Sequence, residues 1–196
     1  MNSKRLAEQI RFLVEIDKLK NVYRQSYLTD GKRKENSAEH SWHVSLAAIF
    51  LSEMGDKKAD IYKTIRMLLV HDIVEIDAGD TYCYDETANE DKEKRETIAA
   101  ERIFGILPHD QAKEYYALWS EFEEGKTPEA QLAAAADCLM PFLHNYFTQG
   151  KSWQEHRISS NQVISRMSKL KTFSTDLWDY FYSMLDKAIK KGYLRS

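Results

Sequence analysis

The stretch Leu68-Leu69-Val70-His71-Asp72-Ile73-Val74-Glu75-Ile76-Asp77-Ala78-Gly79-Asp80 joins an apolar run to a histidine and four acids. Charged side chains are seldom buried without a partner, so acids closing a hydrophobic segment point to a bound cation or a reacting group. On a helix ending near Glu75, Asp72 and Glu75 lie three residues apart and His71 and Glu75 four apart. That spacing turns an imidazole and two carboxylates to one face. Such nitrogen and oxygen donors suit a hard or borderline divalent ion, whose charge two carboxylates neutralise. Half of a metal site is therefore legible here. His40 and His43, in the first turns of another helix, and Asp137, inside an apolar one, are available to complete it. An unpaired carboxylate in such a core would be costly. His40, His71, Asp72 and Asp137 thus form a coherent ligand set.

The elements that must position these groups are helical. Leu6, Ile10, Leu13, Val14, Ile16 and Leu19 recur at helical steps, and Lys20 to Glu35 reads as a basic connecting loop with a Thr29-Asp30-Gly31 turn. Asn36 with Glu39 forms a capping-box pattern for a helix running to about Met54, which Gly55 stops. A helix from about Lys58 carries Ile61, Ile65, Leu68 and Leu69 toward His71. Helices follow over Lys92 to Phe104 and about Asp110 to Glu124. Pro128 suits the start of the next, and Ala130 to Phe147 is the most apolar long segment, expected to cross the middle of the core. Helices at about Ser160–Leu170 and Thr175–Lys191 complete the chain. No alternating strand pattern of any length is present, and Gly and Pro number only 7 and 3. The expectation is an all-α bundle of seven to eight helices.

Composition bounds the partners. A length of 196 residues suits one domain spanning 1–196, with a metal-site core at about 36–148 and the C-terminal helices at about 160–191 packing on it. A net charge of −3 gives no general attraction to nucleic acid, and Lys32-Arg33-Lys34 reads as a solvated loop. No run approaches the roughly 20 apolar residues of a membrane span. Cys83 and Cys138 stand alone, without a disulfide framework or thiolate metal spacing, which fits a reducing cytoplasm. The residues Glu90 to Glu101 read as an exposed helix laced with ion pairs, and Trp119, Phe122, Trp153, Phe173 and Trp178 as packing or interface residues. His43 and His144 are read as core or pocket-lining histidines.

The ordered set of His, His-Asp and a distant Asp on helices resembles the HD-domain metal-dependent phosphohydrolases. The segments Glu35-Asn36-Ser37-Ala38-Glu39-His40-Ser41, His71-Asp72-Ile73-Val74-Glu75, Gly79-Asp80 and Ala136-Asp137 resemble the branch that includes bacterial 5′-deoxynucleotidase. The resemblance implies one divalent ion, Mn²⁺, Co²⁺, Fe²⁺, Zn²⁺ or Mg²⁺, held by His40 rather than His43 together with His71, Asp72 and Asp137. It implies Glu75 as catalytic glutamate, Asp80 as an acid close to the substrate, and Arg24 as a phosphate contact. Gln25 stands where the deoxynucleotidase has a tryptophan, and Tyr27 to Lys34 is longer than its counterpart. The implied activity is hydrolysis of a small phosphate monoester, foremost a 5′-deoxynucleoside monophosphate, by a homodimer. Two alternatives stay open: hydrolysis of a pyrophosphate bond in a nucleoside triphosphate or alarmone, and a metal-containing module that binds a nucleotide without turnover.

Overall fold

The computed structural model describes residues 3–195. Its helices are α1 (Ser3–Ile16), α2 (Ser37–Leu51), α3 (Ile61–Val70), α4 (Glu75–Ala78), α5 (Glu86–Asn89), α6 (Lys92–Phe104), α7 (His109–Glu124), α8 (Pro128–Phe147), α9 (Lys151–Glu155), α10 (Ser160–Phe173) and α11 (Thr175–Lys190). Eight of these have ten or more residues, the number the hydrophobic periodicity leads one to expect; α4, α5 and α9 are single turns. The fold is all-α.

Local chemistry sets the helix ends. Asn36 accepts from the Glu39 backbone N–H while the Glu39 side chain accepts from that of Asn36, the reciprocal box expected for α2. Asp60 caps α3 by accepting from Lys63 N–H, so this helix begins three residues later than its apolar pattern alone suggests. Thr127 caps α8 with Pro128 in its first turn.

Two expectations need correction. The basic loop contains two short strands, β1 (Tyr23–Tyr27) and β2 (Lys34–Asn36), paired antiparallel with an irregular register between Tyr23–Asn36 and Tyr27–Lys34. Strands of five and three residues are too short to write a period-two pattern. The helix expected to run through Glu75 stops at Val70. Beyond it Ile73 N–H donates to Val70 O and Glu75 N–H to Asp72 O, three-residue turns that carry the chain into α4.

The apolar side chains fall into two cores. One is built on α8, with Val44 and Ala48 of α2, Met67 and Leu68 of α3, and the inner faces of α10 and α11. The other joins Phe12 of α1, Val70, Ile73 and Val74, the inner face of α6, and Leu118 and Trp119 of α7. His71 and Asp72 lie between Val70 and Ile73 of the second core, whereas Asp137 lies between Ala136 and Cys138 of the first. The charged cluster therefore sits on the seam. Tyr193, packed on the first core, crosses Gly150 so closely that a Cβ there would stand 2.1 Å from Tyr193 O, and with φ at 78° the position admits only glycine.

Candidate metal centre and active site

Five elements, α2, α3 with the turn that follows it, α4, α8 and β1, converge on the seam. The capping box begins α2 so that His40 falls in its first turns, fully buried. The turn after α3 delivers His71 and Asp72, and α4 delivers Glu75. Gly79 then takes φ 75° and ψ 152°, a region that side-chain-bearing residues avoid. That reversal brings Asp80 back to the cluster, and Arg95 holds the loop by donating to Ala78 O, Thr81 Oγ1 and Ala88 O. Asp137 comes from the buried face of α8, and Arg24 from β1.

The side chains meet closely. His40 Nε2 lies 3.1 Å from Asp137 Oδ1, and His71 Nε2 lies 3.0 Å from Asp72 Oδ1 and 4.0 Å from Asp137 Oδ1. The Arg24 guanidinium donates to Asp72 Oδ2 at 2.8 Å and stands 3.7 Å from both Glu75 and Asp80 and 3.9 Å from Asp137. All seven residues singled out in the sequence are thus neighbours, although His71, Asp72 and Glu75 do not share one continuous helix. The ring of Phe122 packs edge-on against His71, 4.8 Å between centroids, and closes one side. The cavity beyond Asp80 is walled by Tyr82, Tyr84, Phe142 and Trp153.

Burial and crowding perturb these groups. Burial pushes the Glu75 carboxyl well up and the Asp72 anion adds to the shift, against Arg24 and the Ser37 hydroxyl. Asp80 is raised, also chiefly by burial. Asp137 is held well below the ordinary carboxylate range because His40 and Arg166 outweigh the cost of its burial. Burial and Arg24 oppose charging of His40, but Asp137 and Glu35 prevail and lift it to about 9.

The residues fit a divalent ion. His71 Nε2 is buried without a hydrogen-bond partner among the described residues. Its Nδ1 faces Leu68 O at 2.7 Å, so the ring turns Nε2 toward the acids. Ligand atoms of His40, His71 and Asp72 lie within 4.8 Å of one another, and Asp137 faces both imidazoles. Two imidazoles with two carboxylates form a donor set for a borderline to hard cation.

Several groups at this site escape a reading of the sequence. Ser37 donates to Glu75 Oε2 at 2.6 Å; it stands inside the Glu-Asn-Ser-Ala-Glu-His segment, the only signal that could have singled it out. Arg166 of α10 donates to Asp137 Oδ2 at 3.0 Å, a pairing across 29 residues with no local signature. Glu96, expected on an exposed helix, is buried and lines the cavity with its ion-pair partner Lys92. Glu35 is buried behind His40, and Glu35, His43 and His144 form a second group with ligand atoms within 4.8 Å of one another.

The model of the HD domain matches residues 16–178. The chain belongs to the HD-domain family. Among HD-domain relatives, 5′-deoxynucleotidase HDDC2 of Danio rerio is 30% identical over 140 residues, 70% of this chain and 68% of that protein. The protein of the same name from Dictyostelium discoideum is 27% identical over 190 residues, 94% and 95% of the two chains. The alignments span about two thirds of the vertebrate relatives' length. A crystal structure of a predicted metal-dependent phosphohydrolase from Magnetospirillum magnetotacticum MS-1 superimposes with a TM-score of 0.94 at 48% identity, covering 98% of this chain and 97% of that one. Membership in this family implies a divalent metal, and the donor set described above accommodates it. No helix among the described residues is long and apolar enough to cross a membrane.

Proposed function

We propose that this HD-domain phosphohydrolase cleaves the phosphate ester of a 5′-deoxynucleoside monophosphate, yielding nucleoside and inorganic phosphate. The observation that carries the reading is the placement of the Arg24 guanidinium among Asp72, Glu75, Asp80 and Asp137. The names of the deoxynucleotidase relatives support the substrate class.

His40, His71, Asp72 and Asp137 would hold a divalent ion, which would supply Lewis-acid activation to water and to a phosphate oxygen. Arg24 exchanges its carboxylate contacts for the phosphate, whose oxygens its planar fork matches. Glu75 has Oε2 engaged by Ser37, which leaves Oε1 toward Arg24 and the site. There it orients the attacking water and takes its proton as the phosphorus–oxygen bond to water forms. The ester bond to the sugar breaks, and the proton taken by Glu75 passes on to the leaving 5′ oxygen, which regenerates the carboxylate. Asp80, on the cavity side of Arg24, contacts the sugar.

The test is release of inorganic phosphate from deoxy- and ribonucleoside monophosphates and from triphosphates, each with Mn²⁺, Co²⁺, Fe²⁺, Zn²⁺ and Mg²⁺. Turnover of a deoxynucleoside monophosphate with at least one ion is expected. Tight binding of a monophosphate with no hydrolysis under any ion would overturn the proposal in favour of a sensor. In the same assay Arg24→Lys keeps the charge but loses the fork, and kcat/KM is expected to fall about 10- to 100-fold, the loss of one charge-assisted hydrogen bond.

Three further readings belong to this proposal. The whole chain acts as one domain, since α10 and α11 share the first core with α2 and α8. The cysteines are unpaired, consistent with residence in the cytoplasm. The protein is a homodimer that covers the outer face of α2, where Trp42, Leu46, Ile49 and Phe50 are exposed. Size-exclusion chromatography with light scattering is expected to give twice the chain mass, and Trp42→Asp to shift it toward the monomer. A monomeric wild type would refute the assembly.

A further inference from the structure

We infer that Glu35 is a positioning residue that fixes the orientation and tautomer of His40 for metal binding, and that His144 in turn seats Glu35. The inference rests on His40 being a metal ligand, as in the functional reading above. Glu35 lies in β2 and is 1% exposed, yet it is absent from the metal and catalytic set. Its Oε2 stands 3.3 Å from His40 Nδ1 and 3.7 Å from His144 Nδ1. None of these three atoms has a hydrogen-bond partner among the described residues, which leaves Glu35 Oε2 as the acceptor standing between two otherwise unsatisfied ring nitrogens.

His40 therefore lies between two carboxylates, Glu35 behind it on Nδ1 and Asp137 in front on Nε2. An imidazole whose Nδ1–H is directed to a carboxylate presents the Nε2 lone pair and is made more basic toward a cation. The two site histidines are thereby oriented by different groups. His71 directs Nδ1 to the Leu68 carbonyl, a dipole, whereas His40 directs it to a full negative charge. The helix α8 supplies both Asp137 and His144, seven residues apart, so it flanks the His40–Glu35 pair from both ends. His43, half-buried and 5.7 Å from the His144 ring, closes the outer side.

Glu35, His43 and His144 also satisfy the spacing of a second cation site. We favour the positioning role because the Glu35 oxygen they would share already faces His40 Nδ1.

The test measures Mn²⁺ affinity and stoichiometry on the full-length chain after chelation, independently of any substrate. Glu35→Gln is expected to weaken Mn²⁺ binding about 10- to 100-fold at one ion per chain, the range for loss of such an outer partner. Glu35→Asp, which keeps the charge, should recover part of that loss and serves as the working variant if Glu35→Gln does not fold. In the Zn²⁺-loaded protein the His40 Nδ1–H proton should be resolved by nitrogen-edited NMR and should shift in either variant. His40→Ala separates the two readings: unchanged Mn²⁺ affinity in it would remove the metal-site assignment itself. Loss in His40→Ala with wild-type affinity and an unshifted Nδ1–H in both Glu35 variants would overturn the positioning role alone. Two ions bound to the wild type and one to Glu35→Gln would overturn it too, making Glu35 a ligand.

Discussion

Replacing Asp72 or Asp137 by alanine is expected to abolish metal-dependent phosphate release and to remove the bound ion. Asp137 Oδ1 faces both imidazoles, at 3.1 and 4.0 Å, so its loss leaves His40 and His71 without the carboxylate that joins them. Asp72 faces His71 on one oxygen and Arg24 on the other. Neither change should unfold the protein. Arg24 keeps Glu75 and Asp80 within 3.7 Å when Asp72 is gone. Arg166, left single by Asp137→Ala, is 29% exposed and can turn to water. Metal analysis after reloading, phosphate release and thermal melting together check the prediction. Turnover retained in either variant would strike that residue from the metal centre.

The second large effect is expected at Glu75. Glu75→Gln should lower kcat and kcat/KM together by about 10²- to 10⁴-fold, the usual contribution of a positioned acid–base group, with one ion still bound. A glutamine can still accept from Ser37, so the side chain keeps its place while losing basicity. The metal-free variant should also be at least as stable as the wild type. Burial and the Asp72 anion raise the Glu75 pKa in the fold, so the ionised carboxylate carries a destabilising contribution that develops as pH rises above its unfolded value and persists at neutral pH. Removing that charge relieves it. Near-wild-type kcat with the ion bound would exclude Glu75 as the base.

Much of this arrangement is legible in the sequence because it is encoded locally. The Asn36–Glu39 box, the Thr127-Pro128 start and the apolar run through α8 each write their geometry within a few residues. The candidate ligand set is legible because four residues of two types, two histidines and two aspartates, stand in a distinctive order, and the fold brings all four together. What is not legible is pairing at a distance. Nothing within β2 marks Glu35 as facing His40, and nothing in α10 marks Arg166 as reaching Asp137. The tight turns after Val70 are hidden for another reason: an apolar run ending in His-Asp has the same spacing whether the helix continues or tightens, and hydrogen bonds to the backbone decide.

The seam between the two cores has a thermodynamic consequence. The proposed ligands come from α2, from the turn after α3 and from α8, segments anchored in different hydrophobic clusters. Unfolding separates them, so a cation that binds the assembled set and not the open chain is linked by mass action to folding itself. Free ion at 100 times its dissociation constant adds about 2.7 kcal/mol to the native state. Since a typical domain is stable by only about 5–15 kcal/mol, the ion's availability sets how much of this protein stays folded as well as how fast it turns over.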